Sequence, residues 1–384
     1  MKRIKPILAI ALALCMILPL AACGTASPTS PSASPSDSAS PSGELGSYYI
    51  AYALLGTDWI LNYMEQRGAW GVKNAGDNKY DYYSADFSAD TMQSGTQNML
   101  NAGINGLMYY PAYPTLTPTV TKMCEDAKVP FVIFDTNPLP EQNAGLLASP
   151  MFAGFIASSS YDNGYSLGLQ AVKDGYKNAI CVGGHVGDIS HDNRISGFTD
   201  AFATGGGKVV DEARCTDPSE AVQKASDSLN AHPEADCFFS TTGSYTNGAL
   251  TAMKNYNRTD LMVYSVDIDT DLLKYVREGT MVGNGGAAVA IVLAAALLQN
   301  RLDGHPILDA NGKAPWSDRD IKNIYVDASN ADDFERCILA NEILTPEIFH
   351  QFVWRYNHDV TWQTYLDFFN AYNLDYLVSI HGAA

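Results

Sequence analysis

Two stretches of this 384-residue chain share one layout, which restricts the fold more than any other feature of the sequence. "GINGLMYYP" runs through a helix-like segment to "VPFVIFDTN", and "EADCFFSTT" runs the same way to "DLMVYSVDID". Each final run closes on an aspartate, Asp135 in the first and Asp267 in the second, at similar distances from Tyr110 and Ser240. Short apolar runs separated by amphipathic segments are strands joined by crossover helices, which makes neighbouring strands parallel. Ligands of open parallel sheets collect beyond the carboxyl ends of the strands. Two facing lobes of this kind therefore present one carboxylate each to a shared cleft.

The same alternation extends along most of the chain. "YYIAYALLG" (48–56), "YDYYSA", "INGLMYYP" and "VPFVIFD" read as strands. Between them lie helices, one with Trp59, Ile60, Tyr63 and Met64 on one face, and one capped near Asp90. After a crossing at "FAGFIASSS" the order restarts, through strands "NAICVGG", "KVVDEA", "ADCFFST" and "LMVYSVD". The apolar segment 287–304 is followed at once by charge, so it predicts a helix packed on a sheet, not a membrane span. Near the end come a strand in "NIYVDAS" and helices from "TPEIFHQFVWRY" and "TWQTYLDFFNAYNLDYL", rich in aromatic residues that suit docking onto a lobe.

The N-terminus has a different character. Lys2, Arg3 and Lys5 precede an apolar run from Ile7 to Leu20, the pattern of a signal peptide (1–22). Leu20-Ala21-Ala22-Cys23-Gly24 resembles a lipobox, which implies lipidation of Cys23 and export to the outer face of the cell membrane. Residues 23–45 are mostly Ser and Pro with little to bury, a tether that reaches roughly 25 Å as a coil and about 60 Å fully extended. The remaining length predicts two lobes: 46–155 with 284–322, and 156–283. Residues 323–384 form a third hinge strand and a C-terminal extension. The formal charge of −18, with no basic stripe, argues against nucleic-acid binding. Cys124, Cys181, Cys215, Cys237 and Cys337 are an odd number without a CxxC pair, so neither a disulfide framework nor a zinc site is expected.

With these elements in order, the chain resembles the type I periplasmic binding proteins, the ribose- and galactose-binding kind that feed ABC importers. The resemblance covers roughly 48–305 and rests on "VPFVIFDTN", "FIASSSYDNG", "NRISGF", "NGALTAM" and "VYSVDIDTDLLKYVREGTM". It implies a fold of two doubly wound α/β lobes joined by a three-segment hinge, with crossings near 155–158, 281–286 and 322–328. It also implies that Asp135 and Asp267 accept hydrogen bonds from ligand hydroxyls while Arg194 donates from the facing lobe, a carboxylate and a guanidinium being suited to vicinal hydroxyls. Trp59 stacks on a sugar face in this reading, and Tyr113, Tyr245, Thr242 and Asn284 complete the set. The chain departs from the pattern where relatives carry an Asn-Asp pair, here Thr242 and Gly243. It departs again at Thr136, where a basic residue is usual, and near the second crossing, where the expected glutamine is replaced by Asn284 or lost among glycines. These departures point away from a plain ribose site.

Three motifs suggest other chemistry. "GYSLG" (164–168) matches a nucleophile elbow around Ser166, but it falls inside a helical segment with no strand running into its first glycine. "DIDTD" with Glu278 imitates a calcium loop, yet Leu272 stands where glycine is required. His185 and His191 read as loop polarity or a ligand contact. The expectation is a monomeric, non-enzymatic receptor without cofactor or metal, which captures a small polyhydroxylated ligand and delivers it to an ABC permease. A sensor that presents its closed form to a membrane kinase or chemoreceptor is the alternative, and an exported hydrolase using Ser166 comes behind it.

Overall fold

The computed structural model describes residues 45–382. The expected leader, Cys23 and nearly all of the tether lie outside them. The chain builds two six-stranded sheets, each with helices on both faces. The first half runs β1 (Tyr49–Leu54), α1 (Trp59–Ala75), β2 (Lys79–Ser84), α2 (Ala89–Asn101), β3 (Gly106–Tyr109), α3 (Thr117–Ala127), β4 (Phe131–Phe134), α4 (Asn143–Ala148) and β5 (Phe152–Ser158). The second runs α5 (Ser160–Asp174), β6 (Asn178–Gly184), α6 (Ile189–Thr204), β7 (Lys208–Cys215), α7 (Ala221–Ala231), β8 (Cys237–Ser240), α8 (Gly243–Asn255), β9 (Met262–Val266), α9 (Leu273–Arg277) and β10 (Met281–Gly285). The chain then returns through α10 (Val289–Leu302) and ends with β11 (Trp316–Ile321), β12 (Ile324–Val326), α11 (Ala331–Phe334), α12 (Pro346–Phe349), α13 (Trp362–Ala371) and α14 (Leu374–His381).

The first sheet is ordered β11-β5-β4-β3-β1-β2 and the second β12-β10-β9-β8-β6-β7. All pairings are parallel except β10 with β12. β3, β4, β5 and β8 are buried at every position, because helices cover both faces of a parallel sheet and leave no side for polar alternation. The chain passes between sheets three times: after Ser158, between Gly285 and Val289, and between Ile321 and Ile324. β5 is thus a full strand of the first sheet, although its sequence reads as a crossing. Asn284 and Gly285, placed at the start of the returning segment by the sequence, belong to β10 of the second sheet. β11 escaped the sequence reading because "WSDRDI" carries three charges on an edge strand.

α10 is buried from Val289 through Asn300. One side packs on β3, β4, β5 and α1, and the C-terminal extension covers another, which is why the helix is apolar all round. The extension is pinned by side chains. Asn300 Nδ2 donates to the Phe352 carbonyl at 2.8 Å while its Oδ1 accepts from the Trp354 N–H at 2.7 Å. Asp303 accepts from Arg355 Nε at 2.7 Å, and the Tyr372 hydroxyl donates to the carbonyl of Gly286, in the second crossing, at 2.6 Å. Arg277 of α9 reaches Asp332 at 2.7 Å, so the extension touches both lobes. The helix expected over "TPEIFHQFVWRY" is only α12 and a short 3-10 turn, since Trp354 spends its N–H on Asn300. The last expected helix is split into α13 and α14 where Asn373 caps the second. Asn300→Ala leaves the Trp354 N–H unpaired, while the Phe352 carbonyl keeps its bond from the Tyr365 hydroxyl at 3.0 Å, and should cost about 1–2 kcal/mol. Urea unfolding checks the cost, and hydrogen exchange confined to 345–380 would locate it.

Candidate functional site

The carboxyl ends of both sheets line a single cleft of about 280 Å³. Asp58, Phe87, Tyr110 and Asp135 follow β1 to β4 of the first sheet, while Asp188, Thr216, Thr242 and Asp267 follow β6 to β9 of the second. Ala287 and Ala288, in the second crossing, also line it. Two hydrogen bonds close the lobes over this space: Ser244 Oγ to Asp58 Oδ2 at 3.1 Å, and the hydroxyls of Thr136 and Ser190 at 3.2 Å.

The duplicated aspartates are held alike. Asp135 and Asp267 both take left-handed backbone, with φ of 66° and 61°, which side-chain-bearing residues rarely adopt. Each strand therefore ends in a sharp turn at the residue itself, with the backbone N–H anchored to the next strand: Asp135 to Ile156 O at 3.0 Å, and Asp267 to Asn284 O at 2.8 Å. Neither caps a helix; Asp269 does that for the turn into α9, accepting from the Leu272 N–H at 2.7 Å. Non-glycine residues held in this region cost about 1–3 kcal/mol, and such strain gathers at functional sites.

Arg194, on the second turn of α6, is 8% exposed. Its Nη1 donates to the Thr241 carbonyl at 2.7 Å and to Asp267 Oδ2 at 3.2 Å, while its Nε has no acceptor. Thr241 also brings its hydroxyl within 2.7 Å of His191 Nδ1, and burial pulls the imidazole down from its ordinary range. Burial raises the carboxyl of Asp267 against the pull of Arg194. At Asp135, burial pushes the carboxyl up to about 6; Arg194 opposes this, and Asp267 and Asp188 add to it.

Six of the eight candidate residues meet here: Asp135, Arg194, Asp267, Thr242, Tyr113 and Tyr245. Trp59 does not. Asp58 caps α1 by accepting from the Leu61 N–H at 2.9 Å, and the next position turns Trp59 away to stack on Tyr63, with centroids 5.4 Å apart. Asn284 does not either: its Nδ2 donates to Asn163 O at 2.8 Å and Ser166 Oγ at 3.1 Å, which ties β10 to α5. Ser166 itself donates to the Asn163 carbonyl at 3.0 Å, a helix contact and not a nucleophile's pairing with a base. Among the described residues there is no cluster of His, Cys, Asp and Glu able to hold a metal.

The sequence reading missed Asp58, Phe87, Tyr110, Asp188 and Thr241. The strand-end rule applied to Asp135 would have found Asp58 and Asp188, since each follows a strand and caps the next helix.

Residues 49–304 match the family model described as periplasmic binding protein domain. A putative rhizopine-binding protein of Rhizobium meliloti is 24% identical over 202 residues, 49% of this chain and 62% of that one. The chain thus matches less than two thirds of that relative's length. An ABC transporter solute-binding protein from Bacillus halodurans with bound myo-inositol superposes with a TM-score of 0.65 at 18% identity, over 77% of this chain and 99% of that one. A sugar ABC transporter structure from Yersinia enterocolitica gives 0.67 at 16%, over 82% and 94%. At these identities the likeness speaks to the fold.

Proposed function

We propose, from the premise that this chain belongs to the periplasmic binding protein domain family, that it is an extracytoplasmic receptor closing on a small polyhydroxylated solute and delivering it to an ABC permease. The observation that carries this reading is the meeting of Asp135 from one sheet with Arg194 and Asp267 from the other, in a cleft closed by hydrogen bonds between lobes. Carboxylates accept from paired hydroxyls, and the guanidinium donates. The lipobox at Cys23 and the Ser/Pro tether fit a captor held at the membrane surface yet free to swing toward its importer. Solved proteins of this fold carry myo-inositol and D-allose, which is the ligand class favoured here. At about 280 Å³ the cleft is just under the usual range of about 300–1,000 Å³, room for one sugar ring.

A thermal-shift screen of monosaccharides, polyols and their amino derivatives on the full chain tests this. A ligand at about a hundred times its Kd adds about 2.7 kcal/mol of stability. Asp135→Ala and Asp267→Ala should each weaken the hit by about 2–3 kcal/mol. Because the ionised Asp135 carboxylate is the acceptor, and its pKa lies near 6, affinity should fall as pH drops through about 6. Tyr110, Arg194, Asp188 and Asp267 surround that group, and Arg194 keeps its charge throughout. Silence across the screen, or a hit indifferent to both substitutions, would reject the reading.

A further inference from the structure

The charge inside the cleft narrows the chemistry of the solute, an inference that rests on the receptor reading above. Four carboxylates line it, those of Asp58, Asp135, Asp188 and Asp267, against one guanidinium, that of Arg194. Arg194 is committed to Asp267. Asp58 and Asp188 each accept from backbone N–H groups at a helix N-terminus, where the helix dipole offsets part of their charge. Asp135 has no such terminus behind it and, among the described residues, forms no ion pair. Its charged neighbours are Arg194, Asp188 and Asp267, and burial together with the two carboxylates makes its ionised form costly.

Closure over a neutral polyol would leave this excess negative charge enclosed with water excluded, where an uncompensated charge is most expensive. A protonated primary amine cancels one charge and brings three donors. A second, independent observation calls for oxygen on the same ligand: Arg194 lines the cleft, and while its Nη1 is spent on Thr241 and Asp267 its Nη2 makes no hydrogen bond among the described residues. We infer that the solute is an amino polyol the size of a single sugar ring, its ammonium facing Asp135 and one of its hydroxyl oxygens accepting from Arg194. Phe87, Tyr110, Tyr113 and Tyr245 supply apolar walls for its ring.

Isothermal titration of the purified full chain near neutral pH, with matched sets, tests this. The sets are D-glucosamine, D-glucose and N-acetyl-D-glucosamine; D-galactosamine and D-galactose; and an amino-deoxy-inositol and myo-inositol. In at least one set the amine should bind about tenfold or more tighter than its hydroxyl partner, the ratio that 1.4 kcal/mol makes. N-acetylation should erase that gain. Asp135→Asn should bring amine and hydroxyl partners to within about threefold of one another, because an amide keeps the shape but not the charge. Neutral polyols that match their amines in every set that binds, or an amine preference untouched by Asp135→Asn, overturn the inference and leave the receptor reading standing. Absence of binding by every member of every set overturns both.

Discussion

Replacing Arg194 with alanine should lower affinity for the solute by about 2–3 kcal/mol, roughly thirtyfold to over a hundredfold, because a charged donor facing the cleft is lost. The Asp267 carboxylate that it strands should cost the fold about 3–5 kcal/mol. Arg194 links three things at once: the Thr241 carbonyl, the Asp267 carboxylate and the open face of the cleft. Its loss removes a donor from the cleft and frees Asp267, whose left-handed turn is anchored to β10 only through its own backbone N–H. Arg194→Lys keeps the charge but loses the fixed fork, so an intermediate loss is expected. Titration calorimetry reads the affinity, with circular dichroism to confirm that the lobes remain folded. Affinity of Arg194→Ala within about threefold of the parent would remove this residue from the site.

The second large effect lies in helix packing. α5 and α6 cross so closely that a methyl group on Gly164 would overlap the Arg194 carbonyl, and one on Gly197 would overlap that of Tyr161. Both obstacles are backbone and cannot turn aside. Gly164→Val should therefore force the helices apart at a cost of about 3 kcal/mol, the upper part of the usual range for overpacking. Because the displaced backbone is that of Arg194 itself, affinity should fall along with stability. Gly145 is the control: it is helical with open space where a methyl would go, and Gly145→Ala should be neutral or gain up to about 1 kcal/mol. Urea unfolding of both variants decides the matter, and a Gly164→Val protein as stable as the parent would refute the packing account.

That crossing also accounts for "GYSLG". The glycines of this stretch face α6, and its serine bonds within its own helix. A motif defined by spacing alone cannot tell a strained strand-to-helix turn from a close helix contact, since both need glycine where backbone approaches backbone. Asp58 and Trp59 teach a related lesson. Adjacent positions at a helix start point in different directions, so one residue decides whether an aspartate or an indole faces the cleft. In the sequence the larger side chain drew attention, while the cap placed the smaller one in the cleft.

Local physics was enough to read the alternation of strands and helices, the duplication and the aspartates at strand ends. Apolar periodicity and turn residues act over a few positions and leave their mark in the order of residues. The edge strand β11, the side chains that pin the C-terminal extension and the partners of Asn284 were decided only by tertiary structure. Each depends on contacts between residues far apart in the chain, as when Asn300 holds Phe352 and Trp354 or Tyr372 reaches Gly286. The excess of carboxylates in the cleft belongs with these. It arises because loops from two sheets converge, and no stretch of sequence carries it alone.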